Sequence, residues 1–150
     1  MAEGDRFDLG DYHLEVLWPL SPPISEPGND SSVVTRFVPQ EPTGLSLLGL
    51  GDLGEQAQQM LLPRLGAAEV DIVKVSHHGS SDQLPTLYRE VSASVGLIGV
   101  GAANSYGHPS PETLQLLRSA GTLPLRSDER GTLTLRRGED GIETWSAGGG

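Results

Sequence analysis

Three short apolar segments of this sequence are each followed by side chains that can bind a metal ion or move a proton. The segments are residues 47–50, 72–75 and 95–100, and they are followed by Asp52, by His77 and His78, and by Asn104 and His108, respectively. In open α/β sheets, ligands bind beyond the carboxyl ends of the strands. If the three segments are parallel neighbouring strands, their loops meet at one edge, and we therefore predict a shared site there.

The residue types favour a divalent cation and phosphoester chemistry. An Asp carboxylate such as Asp52 and the neutral nitrogens of His77 and His78 are suitable ligands for Zn²⁺ or Mn²⁺. A carboxylate can also bridge two metal ions during a phosphoryl displacement. Because adjacent residues of a strand point to opposite faces, we expect one of the two histidines to be a ligand. The other is then its hydrogen-bond partner or a proton donor.

The residues after the histidine pair suit a phosphate group. Gly79 frees the backbone to approach a bound anion, while Ser80 and Ser81 offer hydroxyl and amide groups. Each feature also has an ordinary structural explanation. A Gly-Asp pair such as the one ending in Asp52 is often a turn, adjacent histidines are often surface or core residues, and residues 106–109 could simply be the turn before a helix.

The hydrophobic pattern predicts strands first and then helices and strands in alternation, which favours a layered α/β fold. Predicted strands are residues 12–18, 32–38, 44–50, 71–75, 95–100, 123–126, 132–136 and 142–145, and predicted helices are residues 55–65, 84–91 and 110–121. Pro63 should tighten or break the last turn of the first helix, and Ser110 followed by Pro111 is a strong helix start. We expect one domain over residues 1–150, with a flexible tail at 146–150.

Composition limits the partners and the metal ligands. The chain has 20 acidic and 10 basic residues, and residues 1–73 alone hold 12 of the acidic and 3 of the basic ones. Such a chain is a poor general DNA binder, because phosphate contacts need Lys and Arg. There is no cysteine, so His, Asp or Glu must hold any metal. No run of about 18 apolar residues and no signal peptide occurs, so we expect the chain itself to be soluble.

Five strings together resemble the metallo-β-lactamase-like domain at the C-terminal end of ComEC competence proteins. They are residues 29–34 (NDSSVV), 48–52 (LGLGD), 71–80 (DIVKVSHHGS), 99–109 (GVGAANSYGHP) and 126–131 (RSDERG). The resemblance implies an αββα sandwich, of which this chain is roughly the C-terminal half, with a mixed sheet and flanking helices. It also implies a membrane channel for single-stranded DNA, whose extracytoplasmic hydrolase-like domain acts on the other strand.

The resemblance also suggests roles for individual residues. Asp52 looks like a metal-bridging aspartate, and His77 is assigned to the metal, with His78 and His108 as catalytic groups. Which histidine is the last ligand stays open. Ser80 looks like a phosphate contact, and Asn104 lines the site with the predicted phosphate-binding residues.

The sequence departs from the family at a central point, because it contains no HxHxDH string. We therefore expect Zn²⁺ or Mn²⁺ in the longer domain, and weak or absent metal binding and little activity in this chain alone. Implied partners are DNA and the channel part of the same polypeptide. Because half of a layered domain leaves a sheet face uncovered, a homodimer is also possible. Alternative functions are a non-catalytic scaffold of the channel and a metallo-hydrolase of another phosphoester.

Overall fold

A mixed β-sheet of seven strands forms the centre of the computed structural model, which describes residues 1–21, 28–66 and 69–147. The strands lie across the sheet in chain order: β1 (Arg6–Leu9), β2 (Tyr12–Trp18), β3 (Val34–Pro39), β4 (Leu47–Gly49), β5 (Ile72–Lys74), β6 (Val95–Ile98) and β7 (Leu123–Arg126). β1 to β4 pair antiparallel, whereas β4 to β7 pair parallel. The α/β class and the mixed sheet are therefore confirmed.

The remaining elements are four helices, three short 3₁₀ segments and a hairpin in the described ranges. The helices are α1 (Glu55–Leu61), α2 (Pro85–Val91), α3 (Pro111–Ser119) and α4 (Ser127–Arg130), and the hairpin consists of β8 (Thr132–Arg137) and β9 (Ile142–Ala147). The 3₁₀ segments are Asn29–Ser31, Leu62–Arg64 and Ser76–Gly79. The sequence analysis missed β1 and α4, which are both only four residues long.

Local sequence explains where the helices begin and end. α1 passes into a 3₁₀ turn that contains Pro63, as predicted. At the start of α3, the Ser110 hydroxyl accepts a hydrogen bond from the Thr113 amide at 3.1 Å, which confirms the predicted N-cap. α1 has no such side chain at its own N-cap. Instead, Asp82 accepts a bond from the Glu55 amide at 3.1 Å, so a distant part of the chain caps this helix.

The two faces of the sheet are covered differently. One face packs against α1, α2 and α3 in the main core, where Trp18, Leu53 and Leu87 are fully buried. On the other face, an apolar row crosses all seven strands as successive register partners: Phe7, Leu14, Phe37, Leu47, Ile72, Val95 and Leu123. The β8–β9 hairpin covers part of this face through Leu133, Leu135 and Ile142.

The hairpin is fixed to the sheet by polar contacts as well. The Arg137 guanidinium lies 2.6 Å from the Asp71 carboxylate and donates to the Gly44 carbonyl at 3.2 Å. Beside the hairpin, a cleft of about 520 Å³ remains, lined by Tyr12 and Phe37 among others. A homodimer that covers this face stays a prediction, which sedimentation would check.

Some sequence-based expectations concern residues at the limits of the described ranges. In the predicted loop at residues 20–30, residues 22–27 lie outside the described residues. In the predicted tail, Ser146 and Ala147 belong to β9, and residues 148–150 lie outside the described residues. Within the described ranges, no helix has the length and apolar character needed to cross a membrane.

Candidate functional site

The loops after β4, β5 and β6 meet at the carboxyl edge of the parallel part of the sheet. The His77 amide donates to the Gly51 carbonyl at 3.1 Å, which joins the first loop to the second. The His77 and His108 rings lie edge to face with their centroids 5.6 Å apart. The His78 ring nitrogen Nδ1 lies 2.6 Å from the Gly99 carbonyl oxygen. The predicted convergence of three loops is thus confirmed, and we call His77, His78 and His108 the imidazole edge.

The histidine pair does not continue β5 as an extended strand. It lies in the 3₁₀ segment Ser76–Gly79, where His77 has φ 45° and His78 has φ 53°. The prediction that the two side chains alternate across a strand is therefore wrong, and their ring centroids are 6.4 Å apart. A left-handed conformation costs a non-glycine residue about 1–2 kcal/mol, so the surrounding structure must hold this turn in place.

A buried glutamine, Gln83, forms hydrogen bonds with the turn that contains the two histidines. Gln83 is only 5% exposed, and its amide nitrogen donates to the carbonyls of Ser76 and Ser80 at 3.1 Å each. Its amide oxygen accepts from the Tyr88 hydroxyl at 2.6 Å and from the Gln58 amide nitrogen at 3.0 Å. Burial raises the pKa of Tyr88, so its phenol keeps the proton that it donates here. Gln83 therefore ties the turn to the core, together with the Ser76 hydroxyl, which donates to the Leu53 carbonyl at 2.6 Å.

Hydrogen bonds indicate where the imidazole protons lie. A carbonyl oxygen can only accept, so the contact with Gly99 places a proton on His78 Nδ1 and leaves Nε2 with a lone pair in the neutral ring. The His77 Nε2 atom lies 3.4 Å from the Asn29 amide nitrogen, a donor. In the chain as described, His78 is exposed, whereas His77 and His108 are half-buried. His78 thus presents a proton acceptor to solvent.

Asp52, the predicted bridging ligand, lies beside a lysine. Its Oδ1 atom is 3.5 Å from the Lys74 Nζ atom, which also donates to the Gly51 carbonyl at 2.8 Å. Asp52 directly follows Gly51, whose carbonyl accepts a hydrogen bond from the His77 amide, so both residues lie in the same loop. Lys74 places a positive charge next to the carboxylate that was expected to face a metal ion.

The donor set does not make up a metal centre. Structural and catalytic metal sites use three or four protein donors. Across residues 1–21, 28–66 and 69–147, no group of three His, Asp or Glu side chains is arranged to hold a metal ion. The described residues therefore offer fewer grouped donors than a zinc site uses, and metal binding by Asp52 and His77 in a longer domain stays a prediction.

The predicted phosphate-binding residues differ in how accessible they are. Gly79 is buried with φ 80°, and a Cβ atom there would lie 2.7 Å from the Pro109 Cβ. Close packing against Pro109 therefore requires a glycine at this position. Ser80 is 5% exposed and its carbonyl also accepts from the Thr113 hydroxyl at 2.6 Å. Ser81 is exposed. Contacts of Gly79, Ser80 and Ser81 with phosphate stay predictions.

Asn104 organises the third loop. Its amide nitrogen donates to the His108 carbonyl, and its Oδ1 atom accepts from the Tyr106 amide at 3.0 Å. Both ends of the side-chain amide are therefore engaged within the loop. Its predicted contact with phosphate stays a prediction, and the observed bonds show that Asn104 holds His108 in position.

Sequence reasoning missed three residues at this edge. Lys74 could have been identified from the sequence, because a charged residue inside an apolar strand needs a polar partner. Asn29 lies 48 residues before His77, and nothing in its local pattern indicates their contact. Gln83 also has no local signal, since a glutamine before a helix is ordinarily exposed.

Comparison with known proteins gives one informative result. No protein-family model matches the chain. Over 137 residues it is 30% identical to ComE operon protein 3 of Bacillus subtilis (strain 168), which covers 91% of this chain. The chain is a homologue of a competence-operon protein. It spans only 17% of the length of that relative.

Proposed function

We propose that this chain takes part in DNA uptake as a hydrolase-like module, and that its imidazole edge binds a phosphodiester of DNA. The observation that supports this proposal is that three strand-end loops meet, which brings His108 against His77 and leaves His78 exposed. The homology to a competence-operon protein supports the biological setting. An αββα metallo-β-lactamase-like sandwich, completed by a further half, is the proposed fold of the longer domain.

The imidazoles can perform the proton transfers that phosphodiester hydrolysis needs. In the proposed reaction, a water oxygen forms a bond to phosphorus while the bond to the leaving oxygen breaks. The water proton goes to Nε2 of His78, whose Nδ1 proton is held by the Gly99 carbonyl. His108, on the neighbouring loop, gives a proton to the leaving oxygen. We expect little turnover in this chain alone, because no three-donor metal group is present in the described ranges.

A second candidate is a non-catalytic module of the uptake apparatus. The contact between Lys74 and Asp52 favours it, since an ammonium group is placed where a metal-bridging carboxylate would need a cation. In both cases, the proposed partners are DNA and a membrane channel in the same longer polypeptide, with this module on the extracytoplasmic side.

The test measures DNA binding with a histidine control. A fluorescein-labelled single-stranded oligonucleotide is titrated with the chain at low salt, and its anisotropy is followed. We expect His108→Ala to weaken binding about 10-fold or more, since a lost hydrogen bond to a charged group costs about 1.5–3 kcal/mol. The control is His13→Ala, because His13 lies on β2 beside Asp8. Equal affinity of the two variants would contradict the proposal.

Metal titration combined with a cleavage assay separates the two candidates. The chain is titrated with Zn²⁺ and with Mn²⁺, and cleavage of the oligonucleotide is followed on a gel. Weak or no metal binding with intact DNA binding is expected. A tight stoichiometric metal site in this chain would contradict the inference that the described residues offer too few metal donors. Cleavage of the oligonucleotide that is lost in His108→Ala would support the hydrolase-like module and contradict the non-catalytic one.

A further inference from the structure

The loop between β6 and α3 presents an exposed aromatic ring beside the imidazole edge. Tyr106 is 85% exposed, the largest value among the exposed large apolar residues in the described part of the chain. Tyr106 lines a cleft of about 640 Å³ together with His78, His108 and Asn104. Cleft sizes of about 300–1,000 Å³ are usual for small-molecule groups, so a nucleotide-sized group fits.

The loop that carries Tyr106 is held at its base and at its tip. At the base, the Ser127 hydroxyl accepts from the Val100 amide at 2.8 Å and donates to the Val100 carbonyl at 2.7 Å. At the tip, the Asn104 side chain bonds the Tyr106 amide and the His108 carbonyl. These bonds fix the backbone from which the ring projects. The exposure of Tyr106 is therefore built into the loop.

Charge alone gives this chain little affinity for a nucleic-acid strand. The formal net charge is −10, and strong phosphate binding depends on Lys and Arg. Single-strand binders add affinity by stacking bases on aromatic rings, which works for any base because each has a π face. A binding edge with few cations therefore needs such a ring, and Tyr106 is an exposed aromatic that lines the same cleft as two of the imidazoles.

We propose that Tyr106 is a stacking platform for an unpaired base whose phosphate lies at the imidazole edge. This inference rests on the proposed function, because it needs a DNA strand at that edge. An unpaired base can turn out of the strand and lie on the ring, whereas a base inside a duplex must first be unpaired and unstacked at a cost in free energy. Tyr106 would then favour single-stranded over double-stranded DNA, largely independently of sequence.

The test compares two probes that differ only in their bases. One is a labelled single-stranded oligothymidylate, and the other is an abasic strand with the same number of phosphates. Binding to wild type, Tyr106→Ala and Tyr106→Phe is measured by anisotropy at two salt concentrations. Trp145→Ala serves as the matched control, because Trp145 is an exposed aromatic on the separate β8–β9 hairpin. A thermal melt of each variant confirms folding.

Stacking predicts a base-dependent loss. Tyr106→Ala should weaken oligothymidylate binding about 5-fold to 100-fold, the equivalent of one base stack, and leave abasic binding unchanged. Tyr106→Phe should keep near wild-type affinity, and Trp145→Ala should have no effect. An equal loss on both probes, or no loss on either, overturns the proposal.

The outcomes also separate this inference from the proposed function. If His108→Ala weakens binding and Tyr106→Ala does not, the stacking role is wrong and the phosphodiester edge stands. If wild type binds neither probe, both proposals are wrong.

Discussion

Replacing Gln83 by alanine should destabilise the whole chain, because the Gln83 side chain bonds both the histidine turn and the core. The substitution removes the donor to the Ser76 and Ser80 carbonyls and the acceptor of the Tyr88 proton. The Ser80 carbonyl keeps its bond from Thr113. The Ser76 carbonyl and the Tyr88 proton lose the buried partners described for them.

The magnitude follows from these two orphaned groups. A buried polar group without a partner costs about 1–3 kcal/mol, so we expect Gln83→Ala to lower the free energy of unfolding by about 3 kcal/mol. Tyr88→Phe is the matched control. It removes the hydroxyl, and with it the acceptor of the Ser76 amide at 3.4 Å, while the Gln83 oxygen keeps its bond from Gln58. Its expected cost is therefore about 1 kcal/mol.

Urea denaturation followed by tryptophan fluorescence measures both values, since Trp18 is fully buried and reports on the core. The slope of free energy against urea should stay unchanged, because the same surface is exposed on unfolding. A Gln83→Ala cost no larger than that of Tyr88→Phe would refute the reasoning, and would mean that water replaces the lost amide.

Two further predictions concern Gly79 and Asp71. Gly79→Ala should destabilise the chain by about 1–3 kcal/mol in the same assay, because φ is +80° and the new Cβ would lie 2.7 Å from the Pro109 Cβ; a neutral result would mean that the loop moves freely. Burial opposes ionisation of Asp71, but bonds from Ser46 and Arg137 outweigh it and lower the pKa of Asp71 below its usual value. Its carboxylate therefore stabilises the fold above about pH 4 and this contribution is lost as pH falls through the lowered pKa. Asp71→Asn should cost about 1–3 kcal/mol at pH 7 and progressively less in acid, and a difference constant from pH 7 to pH 2 would contradict this.

The sequence by itself predicted most of the elements and their order, but not the four-residue β1 and α4. Apolar runs ending at polar residues marked β4, β5 and β6, and the Ser110-Pro111 pair marked the start of α3, because these signals act over a few residues. The same pattern placed Asp52, His77 and His108 at strand ends. We predicted that their loops converge because, in α/β sheets, the loops at the carboxyl ends of neighbouring parallel strands meet at one edge.

Tertiary structure alone decided how the side chains are held. The left-handed turn at His77 and His78 exists because Gln83 and the core support a conformation that the local sequence disfavours. The pairing of Lys74 with Asp52 likewise depends on two strands lying side by side. A local sequence pattern does not show which residues far apart in the chain are in contact. Those contacts set the geometry of the imidazole edge.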